Sequence, residues 1–212
     1  MDERDKRRVG EQVEPGGRPK APGRLELLQR FVNTWNHEFP REWDRLGTAA
    51  KARRWLLAKR LVSDDARIDE GDAERLRTLR EAIRALAIAH HGTPPPPEAL
   101  AVLRREGASS ALAVTFERDG EARLEPASDG ADAAVATLLG ILHESQLTGS
   151  WPRLKACRRC AYAFYDRSKN RSAAWCAMSI CGNRTKNRAY RRRRAATTST
   201  RRSSRGTPGG RR

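Results

Sequence analysis

Apolar positions in the first half of the chain recur at steps of three and four, the spacing of one face of an α-helix. The segment LELLQRFVNTWNHEF is the first example, and its apolar face comprises Leu25, Leu28, Val32, Trp35 and Phe39. We therefore expect an amphipathic helix through this segment.

Three more helices are predicted before residue 110. One runs through TAAKARRWLLAKRLV, with Thr48 as its N-cap. The next has the most regular spacing, and its apolar face comprises Leu76, Leu79, Ile83, Leu86 and His90. Gly92 and the prolines at positions 94–97 end that helix, because proline cannot continue one. A short helix is then expected from Pro97 to about Glu106.

The pattern changes after residue 110. The segment ALAVTFERDGEARLEP contains two strand-like runs around Asp119 and Gly120, which predicts a β-hairpin. Val135, Leu138 and Leu142 then mark a last helix before Gly149. Residues 24–148 are thus expected to form one mainly α-helical domain with a small β-hairpin, an α+β fold.

Large aliphatic side chains become scarce beyond this domain. Between Cys157 and Arg194 they are limited to Met178 and Ile180. A segment of this kind cannot fold by burial alone and needs a covalent or metal crosslink. We expect residues 152–194 to form a small second unit. The Gly/Pro-dotted residues 1–23 and the Ser/Thr/Gly/Arg-rich residues 195–212 are expected to be disordered.

Positive charge is concentrated at the C-terminal end. Residues 153–212 hold 19 of the 43 Lys and Arg residues but only one of the 26 acids, Asp166. The residues before them are close to neutral. This asymmetry indicates that a polyanion-binding end is attached to a neutral body.

All four cysteines of the chain lie in this basic region: Cys157, Cys160, Cys176 and Cys181. They form a C-x2-C pair and a C-x4-C pair separated by fifteen residues, a spacing typical of a treble-clef or ribbon-like zinc finger. Four thiolates would close the shell of one structural Zn²⁺ and supply the missing folding energy. A redox-active CxxC pair and an iron–sulfur cluster are the alternatives, but the first leaves one pair unexplained.

The stretch after Cys181 is expected to form a basic helix that closes the finger. Its cations recur at helical steps and are interleaved with almost no acids, which favours phosphate binding over a solvated face. The basic helix lacks an apolar face, so membrane binding is disfavoured. The candidate nucleic-acid contacts in the helix and the preceding loop are Lys169, Arg171, Asn183, Arg184, Lys186, Asn187, Arg188, Arg191 and Arg192.

The stretch LKACRRCAYAFYDRSKNRSAAWCAMSICGNRTKNRAYRRR resembles the CGNR zinc finger, named for the string found here at residues 181–184. Phe31-Val32-Asn33-Thr34 is similar to the early FVNT motif of the ABATE domain that precedes this finger in its family. The resemblance covers roughly residues 24–194. It implies a helical regulatory domain, one structural zinc ion and a role as a stress-induced transcription regulator.

We therefore expect a zinc-finger DNA-binding regulator rather than an enzyme, since no catalytic constellation emerges. The alternatives are an RNA-binding or ribosome-associated zinc protein and a thiol-based zinc redox sensor. No secretory signal or membrane-spanning run is visible, so a cytoplasmic protein, nucleoid-associated when bound to DNA, is expected. Its N-terminal domain is the expected site of a homo-oligomer contact or a small-molecule effector.

Overall fold

The fold is described from a computed structural model, which defines residues 14–188, 190 and 191. Residues 1–13 of the expected lead-in, Arg192 and the expected tail 195–212 lie outside this part of the chain. The elements are α1 (Leu25–Val32), α2 (Ala49–Ala58), α3 (Glu70–Ala89), α4 (Pro97–Ser109), β1 (Leu112–Phe116), β2 (Ala122–Pro126), α5 (Gly130–Leu147), β3 (Leu154–Ala156) and β4 (Ala163–Tyr165). A π-helical turn, Met178–Gly182, leads into helical residues 183–188. The predicted α+β fold is confirmed.

Local sequence signals account for where several elements begin. The Thr48 hydroxyl accepts a hydrogen bond from the Lys51 amide and starts α2, as predicted. Asp69 and Asp72 form a reciprocal capping box at the start of α3, satisfying backbone N–H groups that would otherwise lack partners. Pro97 occupies the first position of α4, where its missing N–H group costs nothing.

The predicted hairpin is present, with β1 and β2 antiparallel and Val114 opposite Leu124. Its connection spans five residues, because Phe116 and Ala122 form the last pair before the turn. Gly120 lies in this loop at a φ of 83°, a left-handed conformation that glycine adopts without strain.

The first helix is shorter than its apolar pattern predicts. α1 ends at Val32, so Trp35 and Phe39 lie in the following loop rather than on the helix. Asn33 ends the helix by pairing with a distant strand: its Nδ2 donates to the Ala163 carbonyl and its Oδ1 accepts from the Ala163 amide, both at 2.8 Å. A tertiary contact thus overrides the local periodicity.

One hydrophobic core joins the body, residues 24–148, to the C-terminal unit, which begins at residue 152 and is called the finger below. It is built on α1, α3 and α5, around fully buried residues such as Leu28, Leu79 and Leu138. Leu154 of β3 and Ala163 of β4 belong to the same core, since β3 packs against α3 and β4 against α1. The hairpin that carries the first cysteine pair is therefore part of the body's packing. No helix in the described ranges is long and apolar enough to cross a membrane.

A buried arginine holds the two parts together. The guanidinium of Arg84, on α3, donates to the carbonyls of Val32 and Trp35 at 2.7 Å each and to the Ala161 carbonyl at 2.6 Å. Glu81, one turn earlier on the helix, accepts from Arg84 Nε at 2.8 Å. These contacts satisfy a cation that is 1% exposed and connect α3, the loop after α1 and the C-terminal unit.

We predict that Arg84→Ala lowers the free energy of unfolding by about 3 kcal/mol or more, because it leaves buried carbonyls without a donor. Urea unfolding followed by tryptophan fluorescence measures the change. Arg54→Ala is the matched control, since Arg54 is exposed, and it should cost less than about 0.5 kcal/mol. Equal stability of the two variants would contradict this role.

Candidate metal centre and basic helix

The four cysteines converge on one point. Cys157 directly follows β3, Cys160 lies between β3 and β4, Cys176 lies in the loop after β4, and Cys181 lies in the π-helical turn. Their sulfur atoms all lie within 4.8 Å of one another. The Sγ atoms of Cys160, Cys176 and Cys181 are mutually separated by 3.6 Å.

These distances fit a metal centre rather than a disulfide. Four thiolates held tetrahedrally at about 2.3 Å from a Zn²⁺ ion are separated from each other by about 3.8 Å, whereas a disulfide needs about 2.05 Å. All four cysteines are free of disulfides and buried, none being more than 4% exposed. The donor set thus fits a single closed, four-coordinate thiolate site.

The electrostatics of the cluster also favour a bound cation. Hydrogen bonds from Cys160 and Cys176 lower the pKa of the Cys157 thiol. The same hydrogen bonds raise the pKa values of Cys160 and Cys176, because each of these thiols keeps its proton to donate it to Cys157, and repulsion between neighbouring thiolates adds to the effect. A divalent cation removes that repulsion and allows all four thiols to ionise.

The first cysteine pair is held by a tight turn between β3 and β4. The Ala161 amide donates to the Cys157 carbonyl, and the Cys157 amide donates to the Tyr162 carbonyl, each at 2.9 Å. Ala161 has a φ of 59°, a strained conformation for alanine that is stabilised by the hydrogen bond from Arg84 to its carbonyl. The body of the protein therefore shapes the turn that presents this pair.

Asp166 organises the loop that leads to the second pair. Its carboxylate accepts from the Ser168 and Ala173 amides and pairs with Lys155 Nζ at 3.1 Å. Both members of the Lys155–Asp166 pair are buried. The single acid of the C-terminal region is thus paired inside the finger and does not neutralise the positive charge of the surface.

The basic side chains predicted to bind nucleic acid are exposed wherever the structure describes them. Lys169 and Arg171 lie on the loop before Cys176, whereas the others follow Gly182 on helical residues. The exposed set comprises Lys169, Arg171, Asn183, Arg184, Lys186, Asn187, Arg188 and Arg191. Arg184 also lies 4.0 Å from Glu38 of the body, so it faces the junction as well as the solvent. Arg192 lies outside the described residues.

An N-terminal segment, residues 14–18, packs against the metal cluster, and we call it the strap. Arg18 donates through Nε to the Cys176 carbonyl at 2.6 Å and through Nη2 to the Trp175 carbonyl at 2.9 Å. Its guanidinium also lies 4.7 Å from the centre of the Phe164 ring. The sequence predicts disorder for residues 1–23, whereas within the described part of this segment Arg18 holds the strap on the finger.

Sequence reasoning missed the residues that fasten the finger to the body, namely Arg18, Asn33 and Arg84. Each bonds to backbone atoms 49 or more residues away. The FVNT string contains Asn33, but the string alone does not reveal the partner. Only the pair Gly16–Gly17 hints at the strap, since two adjacent glycines permit positive φ values.

The chain matches a family model over residues 25–178, and the model is that of ABATE, described as "Putative stress-induced transcription regulator". The matched range includes the body, β3, β4 and three of the four cysteines. No curated protein matches the chain.

We predict that Gly16→Ala is more destabilising than Gly17→Ala. Both glycines have positive φ values, so either substitution incurs about 1–2 kcal/mol of backbone strain. A Cβ at Gly16 would also lie 2.9 Å from the Ala177 Cβ, whereas one at Gly17 meets no atom within 4 Å. Gly16→Ala should therefore cost about 1 kcal/mol more in urea unfolding. Equal costs would show that the strap is not seated on the finger.

Proposed function

Given that the chain belongs to the ABATE family, we propose that it is a transcription regulator that binds DNA through a zinc-dependent finger. The observation that carries the proposal is the exposed basic helix that starts directly at the four-cysteine cluster. Between residues 153 and 191 the single acid, Asp166, is fully buried, so the described residues of this stretch contribute no exposed carboxylate of their own, and Glu38 of the body lies near Arg159 and Arg184.

We propose zinc as the metal and residues 152–194 as the DNA-binding unit. A shell of four thiolates is soft and closed, which suits Zn²⁺ and leaves no position for a catalytic water. The ion would supply structural crosslinking for a segment with few aliphatic side chains. We accordingly assign the protein a binding role rather than an enzymatic one.

Burial of the thiols argues against a redox role as the main function. Redox-sensing cysteines are accessible to oxidant, whereas these four are at most 4% exposed. Arg159 Nη1 also donates to Cys181 Sγ at 3.7 Å, a hydrogen bond that covers this sulfur atom on the outer side of the cluster.

Phosphate contacts are the proposed role of the exposed cations. A helix held at a fixed angle by the metal presents several cations to the phosphate backbone of the nucleic acid. Each phosphate that a cation neutralises releases a counterion. Asn183 and Asn187 lie on the same helix and can donate to phosphates or to base edges. The same surface could bind RNA, and the test below includes both nucleic acids.

Metal analysis of the purified protein tests the zinc assignment. We expect about one zinc per chain, since four thiolates fill one tetrahedral shell. Cys176→Ser should lose the metal. Ser179→Ala should keep it, because Ser179 is exposed and lies between the two cysteines without belonging to the cluster. Iron in place of zinc, or a folded metal-free finger, would refute the assignment.

Salt-dependent binding to duplex DNA tests the helix. In fluorescence anisotropy, Lys186→Ala combined with Arg188→Ala should weaken binding and reduce the slope of log K against log salt by about 0.9 for each lost phosphate contact. The control, Arg54→Ala combined with Arg118→Ala, removes the same charge from exposed sites on the body. An unchanged slope in the helix variant would contradict the proposed binding of phosphates by the helix. Tighter binding of RNA than of DNA would favour the RNA-binding alternative.

A further inference from the structure

A cavity of about 550 Å³ lies between the body and the finger. Its walls come from three segments: the strap, the loop that follows α1, and the finger around Cys176 and Cys181. Ligand pockets for small organic molecules range from roughly 300 to 1,000 Å³. The cavity is therefore large enough to enclose one small molecule.

Aromatic rings form much of its wall. Phe39 and Trp43 stack with their ring centres 5.5 Å apart, and Tyr162 contributes from the finger. Phe39 is 37% exposed, a large value for an aromatic side chain that packs against a second ring. Such a wall suits a flat, apolar ring, because stacking and exclusion of water both favour it.

One cation in the wall lacks a counter-charge. Arg45 is partly buried, and its guanidinium makes no hydrogen bond or ion pair with any residue in the described ranges. Burial lowers the pKa of Arg45 from its ordinary value. The contrast with Arg80 is clear, since that buried guanidinium binds both carboxylate oxygens of Asp44 at 2.6 and 2.8 Å.

The two acids of the wall are already engaged. Glu38 pairs with Arg159 at 3.3 Å and lies 4.0 Å from Arg184. Glu14 accepts from Gln29 Nε2 at 2.9 Å, and burial raises its pKa to about 7, so its charge is partly suppressed near neutral pH. The acids of the wall therefore leave Arg45 without a counter-charge, while Arg184, the other cation of the wall, shares Glu38 with Arg159.

We propose that this cavity binds a small aromatic organic anion, with the anionic group on Arg45 and the ring against Phe39, Trp43 and Tyr162. The site requires no nucleic acid and so goes beyond the proposed DNA-binding function, although Arg184 belongs to both surfaces. Because Ile180 and Cys181 of the finger line it, an occupant contacts the body and the metal-bearing unit together.

Fluorescence titration of the full-length protein tests the site with two probes. Anilinonaphthalene sulfonate is an aromatic anion, and phenylnaphthylamine has the same ring system without the charge. We expect Arg45→Gln to weaken sulfonate binding about tenfold, the loss expected for a hydrogen-bonded charge. Binding of the neutral probe should change less than about twofold, and Arg45→Lys should recover most of the sulfonate affinity.

The control variant is Arg54→Gln, which removes an exposed arginine and should bind both probes as the wild type does. Benzoate should displace the sulfonate probe, whereas the neutral benzamide should not. Three results would overturn the proposal: no saturable sulfonate binding, equal sulfonate binding by Arg45→Gln and wild type, or equal loss of both probes in Arg45→Gln. Thermal unfolding of each variant verifies that the fold is retained.

Discussion

The junction between the body and the finger depends on the buried guanidinium of Arg84. Burying a cation is costly unless its donors are all matched, and here three backbone carbonyls and one carboxylate match them. Two of the carbonyls belong to the end of α1 and its loop, and the third belongs to the turn of the first cysteine pair. Removal of this side chain would therefore disturb the helix end, the loop and the metal-binding turn together. The family match likewise runs from the body into the finger, over residues 25–178.

The same junction brings three other contacts to the metal cluster. Asn33 pairs with the Ala163 backbone, and the strap binds the Cys176 carbonyl through Arg18. His91, just beyond the end of α3, lies 2.7 Å from the Ala156 carbonyl, one residue before Cys157. The finger is thus held by side chains of the body on several sides, while its basic helix remains exposed to solvent. A ligand in the cavity beside Arg45 would contact both sides of this junction.

Local signals in the sequence predicted much of this architecture. The spacing of the four cysteines predicted their convergence, and the apolar steps along α3 together with the Thr48 cap predicted helices that are present. The end of α1 could not be predicted, because Trp35 and Phe39 continue the helical period and the residues that interrupt it act through partners far along the chain. Arg80 and Arg84 would be assigned to the surface by residue type, yet they are 0% and 1% exposed. Their burial depends on carbonyls and a carboxylate that only the tertiary fold brings near. The strap was missed for the same reason.

The central claim is that the metal positions the basic helix for DNA. Its most direct test is the affinity of the full-length protein for duplex DNA at one fixed salt concentration, before metal removal with a chelator, after removal, and after zinc is restored. We expect affinity to fall by about tenfold or more without metal, because the cations lose their common orientation, and to recover when zinc is added. Equal affinity in the metal-free and zinc-bound protein would contradict the claim.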